Sequence, residues 1–333
     1  MTLVWTKFVI CAALIGLAGP ALTRYGDIIA RRTGVSRTWI GLVLLATATS
    51  LPELFTGISA VTIANAPNIA VGNVLGSCLF NLAMLALLDL LQRDEPIYRR
   101  SDQGHILSAG FGVVLIGIVG VSILLARDGT SLGFFSIGAY TPIIFILYFI
   151  AIRSAFVYES QRPSPAQIAE DKEGISLRAA ATRYAVAAAV VVAAGTWLPF
   201  VGLEIAEVMG WRTTFVGTIF VSLATTLPEL VVTISALRLG ALDMAIANLL
   251  GSNLFDILIL AIDDLFYTRG PLLSAASPVH AVTAFAAVIM SGILIVAFLY
   301  RPATRFHGTI GWVSLSLLIV YLLSSYAVYL HGH

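Results

Sequence analysis

Charge is what this sequence has least of. Asp, Glu, Lys and Arg make up 11% of its 333 residues against 59% hydrophobic, and a soluble globule of this length needs more polar surface than that. The net charge of +1 argues against a nucleic-acid partner. Only two cysteines are present, Cys11 and Cys78. Both fall in apolar stretches, so no disulfide framework is expected and each thiol reads as weakly polar packing. The five histidines, His105, His280, His307, His331 and His333, sit at helix ends or in tails. That leaves no cluster for zinc or copper, and no cofactor is expected.

Apolar runs fill the chain instead. They can be read at about 3–23, 39–63, 69–92, 105–126, 137–156, 179–208, 213–236, 244–267, 278–300 and 309–330, each long enough to cross roughly 30 Å of hydrocarbon. A membrane β-barrel would need alternating segments of about ten residues, whereas Ala185 to Ala194 is apolar on every face. The expected fold is therefore an all-α integral membrane protein with ten transmembrane helices. Lys7 ahead of the run Phe8 to Leu17 resembles a signal peptide, but its removal would leave the two halves unequal, so a retained helix is expected. Of the 19 Lys and Arg residues, only Lys7, Arg127, Arg212 and Arg269 fall in the loops of one side. The other fifteen place the opposite side in the cytoplasm and both termini outside a cell membrane.

One short polar sentence is written twice inside apolar helices: Ala48-Thr49-Ser50-Leu51-Pro52-Glu53-Leu54 and Ala224-Thr225-Thr226-Leu227-Pro228-Glu229-Leu230. A second pair follows in the same order, Asn73 to Asn81 and Asn248 to Asp256, both built on Asn-x-x-Gly-Ser. Glu229 lies 176 residues after Glu53, and Asp256 lies 175 after Asn81. Two linked motifs at one offset indicate internal duplication. Residues 1–156 form one five-helix repeat with its motifs over 41–88, and 179–333 the other with motifs over 217–260. Five is odd, so the repeats are inverted in the bilayer. Between them 157–178, with Pro163, Pro165, Glu170, Asp171, Lys172 and Glu173, reads as a solvated cytoplasmic linker.

Glu53, Asn81, Glu229 and Asp256 all fall near helix centres. An acidic side chain there costs about 2.5–3.5 kcal/mol, so three unpaired carboxylates cost roughly 8–10 kcal/mol. No Lys or Arg is expected at that depth. Protons, water or a bound cation must offset the charge, and the oxygens nearby favour a cation. Thr49 and Glu53, Ser77 and Asn81, Thr225 and Glu229, and Ser252 and Asp256 are each four residues apart, so each pair shares a helix face. Pro52 and Pro228 cannot donate to the carbonyls of Ala48 and Ala224, so both helices should break beside their glutamates and free backbone oxygens. Carboxylate, hydroxyl, amide and carbonyl oxygens suit Na⁺ or Ca²⁺. Gly76 and Gly251 suit close crossing of neighbouring helices. Asp89, Asp263 and Asp264, toward helix ends, are expected to snorkel.

At these residues the sequence resembles the two alpha repeats of the sodium/calcium exchanger family. The resemblance implies that Glu53 and Glu229 are the central Ca²⁺ ligands, with Thr49, Thr225 and the backbones around Ala46 and Ser222. It implies Na⁺ ligands at Glu53, Ser50, Ser77, Glu229, Thr226, Ser252 and Asp256, with Asn81 beside the central position. The family usually has Gly where this chain has Ala48 and Ala224, and often Ser at Thr226, which bears on ion selectivity. The large calcium-sensing cytoplasmic insert of animal exchangers is absent between the halves. The expected activity is antiport of Na⁺ against Ca²⁺ by alternating access, with H⁺ replacing Na⁺ on the same fold as the alternative. A cation channel fits an inverted pair of sites less well. An intramembrane protease lacks its second aspartate, because Asn81 stands opposite Asp256, so no enzyme is expected.

Overall fold

The computed structural model describes residues 1–32, 46–92, 95–127, 133–160, 175–238, 240–303, 305–306 and 310–332. Residues 41–45 at the start of the first motif region, and 161–174 of the expected linker, lie outside them.

In chain order the first half runs α1 (Thr2–Arg32), α2 (Ala46–Thr49), α3 (Leu51–Thr62), α4 (Pro67–Leu91), α5 (Ile97–Arg100), α6 (His105–Arg127), the hairpin β1 (Gly133–Phe134) and β2 (Ile137–Gly138), and α7 (Tyr140–Ser160). The second half repeats that plan. It runs α8 (Leu177–Met209), α9 (Thr213–Phe215), a π-helical segment Val216–Val221, α10 (Ser222–Thr225), α11 (Leu227–Arg238), α12 (Leu242–Phe266), α13 (Leu272–Ala275), α14 (His280–Tyr300), the hairpin β3 (Arg305–Phe306) and β4 (Ile310–Gly311), and α15 (Trp312–His331). Among the described residues eight helices are long and apolar enough to cross a membrane. A ninth crossing results if the pair Thr213–Thr225 and Leu227–Arg238, bent by 46°, is one span. The span expected at 39–63 is represented by α2 and α3, its earlier residues being outside those described.

Polar content separates inner helices from outer ones. α4 and α12 carry the Asn-x-x-Gly-Ser segments and are buried along most of their length. The outer helices expose large apolar side chains, Leu17, Phe149 and Leu322 among them, as lipid-facing surfaces do. Helices α1 and α8 pack side by side and antiparallel. Lys7 near the start of α1 bonds Glu204 near the end of α8 at 2.6 Å, while Tyr25 near the end of α1 accepts from Arg183 near the start of α8. Beyond α8 the chain turns through Gly210 at φ +66°, and the N–H of Trp211 closes the helix by donating to Ala206 O at 2.9 Å, the left-handed glycine stop that many helices use. The Trp211 ring then stacks on Phe220 with centroids 5.2 Å apart, and Trp5 of α1 packs edge-on to both, fixing one end of the α1 and α8 pair.

The duplication reappears as matched contacts. A Cβ on Gly19 of α1 would collide with the Pro228 ring, and one on Gly195 of α8 would press on the Pro52 carbonyl. Each first helix thus leans on the proline break of the opposite half, and at Gly19 only glycine leaves room. Gly76 lies against Thr218 and Ser222, so the broken helix it accommodates is also that of the other half.

The three aspartates expected to snorkel do not. Asp89, Asp263 and Asp264 are fully buried. Asp89 accepts from Ile97 N (3.1 Å) and Ser314 Oγ (2.6 Å). Asp264 accepts from Leu272 N (2.7 Å), Gly138 N (2.8 Å), Tyr140 Oη (2.5 Å) and Thr141 Oγ1 (2.5 Å). Each therefore caps the short helix after its own span and grips the last helix of the opposite half. A carboxylate with several donors is held in place by them, not by water. Asp263 has no hydrogen-bond partner at either oxygen, and its carboxylate fills the space that a side chain at Gly57 would take.

Candidate cation site

Both broken helices open at a residue between two helical pieces. Ser50 (φ −88°, ψ 10°) separates α2 from α3, and Thr226 (φ −82°, ψ 5°) separates α10 from α11. Pro52 and Pro228 stand second in α3 and α11, where a missing N–H leaves no helical bond unmade. Glu53 and Glu229 follow in the first turn of each new helix, close to its positive end. The sequence expectation of a break beside each glutamate is met at both places.

Glu53 and Glu229 come close enough to act on one another electrostatically. Ser50 Oγ donates to Glu229 Oε1 at 3.1 Å, and Thr49 of the same turn also reaches Glu229. Reciprocally, Thr225 lies beside Glu53. Asp256 is near enough to feel both glutamates. Glu53, Glu229, Asp256, Asn81, Ser77, Ser252, Thr49, Ser50, Thr225 and Thr226 are all buried, and no Lys or Arg is among the buried charged residues described.

Buried polar atoms are almost always hydrogen-bonded, which makes the exceptions informative. Among the described residues 16 buried side-chain oxygens and nitrogens lack a partner, and seven of these belong to this site. They are both carboxylate oxygens of Glu53, Glu229 Oε2, Asp256 Oδ1, Ser77 Oγ, Ser252 Oγ and Asn81 Oδ1. All seven are oxygens, the donor set of hard cations. No three His, Cys, Asp or Glu side chains among the described residues are gathered closely enough to hold a metal by themselves. Hydroxyl and amide oxygens would therefore have to join the carboxylates around an ion.

The remaining expected ligands are differently engaged. Thr226 Oγ1 donates to Ser222 O at 2.7 Å, Thr225 Oγ1 reaches the same carbonyl at 3.1 Å, and Thr226 N donates to it at 2.9 Å. The Ser222 carbonyl is thus occupied by its own helix in this conformation, as Ser and Thr hydroxyls often arrange. Ser222 Oγ turns back to Thr218 O at 2.6 Å. Ala46 opens α2.

Two asparagines and a cysteine escaped the sequence reading as participants. Asn73 links the halves: its Nδ2 donates to Glu53 O at 3.4 Å and its Oδ1 accepts from Thr225 Oγ1 at 2.9 Å. Asn253 accepts from Asn81 Nδ2 at 3.0 Å and donates to Cys78 O at 3.3 Å, joining α4 to α12 where they cross. The signal was present, since Asn73 opens the repeated segment and Asn253 follows its serine. Cys78, read as packing, directs its thiol to Asp256 Oδ2 at 3.9 Å.

Proline-broken helices of inverted halves, meeting at buried carboxylates with unpartnered oxygens, define a helical membrane protein of the cation-antiporter type. The family model of the sodium/calcium exchanger protein matches residues 3–157 and 181–329. The chain belongs to that family, whose members are transporters and not enzymes. It is 31% identical over 272 residues to the sodium/calcium exchanger MaX1 of Methanosarcina acetivorans, covering 72% of this chain and 76% of that protein. It is 23% identical over 292 residues to the inner membrane protein YrbG of Escherichia coli, covering 81% and 84%. Among solved structures it resembles the sodium-calcium exchanger NCX_Mj soaked with 2.5 mM Na⁺ and 10 mM Sr²⁺, with a TM-score of 0.63 at 23% identity over 97% of this chain and 98% of that one. The same protein soaked with zero Na⁺ and Ca²⁺ gives 0.62 at 23% identity over 98% and 100%.

Proposed function

We propose that this protein exchanges Na⁺ for Ca²⁺ across the cell membrane, both ions competing for the cluster of Glu53, Glu229, Asp256, Asn81 and the hydroxyls of Thr49, Ser50, Ser77, Thr225, Thr226 and Ser252. The observation that carries the reading is the set of seven buried, unpartnered oxygens contributed by both halves. Leaving such groups unsatisfied costs about 1–3 kcal/mol each, more where charged, and a bound cation removes that cost.

Ionised Glu53, Glu229 and Asp256 supply three negative charges. One Ca²⁺ leaves a net −1 and three Na⁺ leave zero, so either load removes most of the buried charge. Breaks at Ser50 and Thr226 let the short helices tilt separately from α3 and α11. The paired first helices, each resting on a proline break of the other half, are suited to slide as the site opens to one face and then the other. The excess of basic residues in one set of loops puts both termini outside.

The test is radioactive Ca²⁺ uptake by purified protein in tight proteoliposomes loaded with Na⁺, against K⁺-loaded and proton-gradient controls. Uptake that requires internal Na⁺ is the expected outcome. Uptake driven only by a proton gradient would replace Na⁺ by H⁺ as the coupling ion.

A further inference from the structure

We propose that Cys78 gives the exchange site a sulfur ligand, so that the site also binds thiophilic divalent cations such as Cd²⁺ and Zn²⁺. The inference rests on the reading of Glu53, Glu229 and Asp256 as one cation site, and adds a ligand class to it.

Cys78 is fully buried on α4, immediately after Ser77. Its Sγ lies 3.9 Å from Asp256 Oδ2 and 3.9 Å from Asn253 O, and Glu53 is close enough to act on it electrostatically. The groups around the sulfur are themselves short of partners. Asp256 Oδ1, Ser77 Oγ and both oxygens of Glu53 are buried without a hydrogen bond. The S–H is a weak donor to that carboxylate, so the thiol is turned toward the site and does not only fill apolar space.

The separation suits shared coordination. Sulfur at about 2.3 Å and carboxylate oxygen at about 2.1 Å from one tetrahedral metal stand about 3.6 Å apart. The observed 3.9 Å lies within a few tenths of that, and an ion larger than Zn²⁺ closes the difference. As the sulfur–metal bond forms the S–H proton leaves to water, so the thiolate is the ligand. Because no three His, Cys, Asp or Glu side chains among the described residues are gathered for a metal, the remaining positions would fall to hydroxyl oxygens and water. Such a mixed set binds a passing soft ion instead of a resident structural zinc.

The second half shows that the fold does not require the thiol. Asn253, 175 residues after Cys78, occupies the matching position with an amide that bonds Cys78 O and Asn81. The sulfur therefore makes the two sides of the site chemically unequal, with a soft ligand contributed by α4 alone.

The experiment measures binding of radioactive Cd²⁺ to the purified full chain, with the ultraviolet charge-transfer band of a cadmium thiolate as a second readout. Wild type is compared with Cys78→Ser, Cys78→Asn and, as a control for the other thiol, Cys11→Ala. Both Cys78 variants should bind Cd²⁺ at least tenfold more weakly and lose the band, while Cys11→Ala keeps both. Equal Cd²⁺ affinity and an unchanged band in a folded Cys78 variant would overturn the proposal. Ca²⁺ uptake on the same preparations separates the two readings. Cys78-dependent Cd²⁺ binding without Na⁺-driven uptake leaves the sulfur ligand standing and removes the exchange reading. Normal exchange with Cd²⁺ binding indifferent to Cys78 removes the sulfur ligand alone.

Discussion

Asn68 and Asp243 stand second in α4 and α12, in the two halves of the molecule, and each receives a backbone N–H from the segment ahead of a later helix. Asn68 Oδ1 accepts from Ser277 N at 2.7 Å, and Asp243 Oδ1 from Asp102 N at 2.8 Å. A histidine follows at the start of that later helix in both cases: His105 pairs with Asp243 at 3.0 Å, and His280 is buried beside Asn68. The geometry is shared, but one copy carries a carboxylate and the other a neutral amide. The same contrast runs inward. Leu88 is replaced by Asp263, Cys78 by Asn253 and Asn81 by Asp256 at one offset, while Glu53 and Glu229 are alike. Backbone capping and helix breaks tolerate little divergence, since each satisfies groups that would otherwise be buried and unpaired. The groups that set charge are free to differ, and they decide what the site holds.

The largest expected effect tests what the halves share. Glu53→Gln and Glu229→Gln should each lower Ca²⁺ exchange about 100-fold or more, equivalent to about 2.7 kcal/mol, while the protein stays inserted and monodisperse. Normal transport by both variants would falsify the shared site. The next contrasts the two caps. Asp264 accepts from four donors spread over α13, the β1–β2 hairpin and α7. Asp264→Asn should therefore cost about 3 kcal/mol in detergent melting; Asp89→Asn tests the other cap, and a loss below about 1 kcal/mol at either would show that cap to be dispensable. Asn81→Asp makes the two sides carry the same carboxylate. Competition between Na⁺ and Ca²⁺ should shift by about 3- to 10-fold, and an unmoved ion profile takes Asn81 out of contact with the ions. Asp243→Asn copies the neutral version into the exposed pair. With the Asp243 side chain 56% exposed, its melting temperature should fall by the equivalent of less than about 1 kcal/mol; a larger fall would mean that the pair holds the ends of α6 and α12 together.

The residues that were legible in the sequence were those whose meaning is local. A proline beside a glutamate in hydrocarbon announces both a break and a charge, and Glu53, Glu229, Ser50 and Thr226 stand where that pattern puts them. The four-residue spacing from Ser252 to Asp256, inside α12, reads directly as one helix face, whereas Thr49 and Glu53 fall on either side of the break at Ser50 and Thr49 reaches Glu229 instead. Asp89 and Asp264 were misread because distance from a helix end suggests depth, whereas their burial depends on Ser314, Thr141 and Tyr140, which arrive from the opposite half. Cys78 and Asn73 were underread for the same reason, since their partners Asp256 and Thr225 are more than 150 residues away. The π-helical segment Val216–Val221 left no mark in the apolar pattern at all.

The crossed caps have a consequence for assembly. Asp89 of the first half closes on Ser314 in the final helix of the second, and Asp264 of the second closes on Thr141 in the final helix of the first. Each half keeps its anchor but lends its last span to the other, like two clasped hands. A chain cut between α7 and α8 would leave two fragments that are each incomplete, yet each bears the missing piece of the other. Pairing of the two fragments is then what restores both caps.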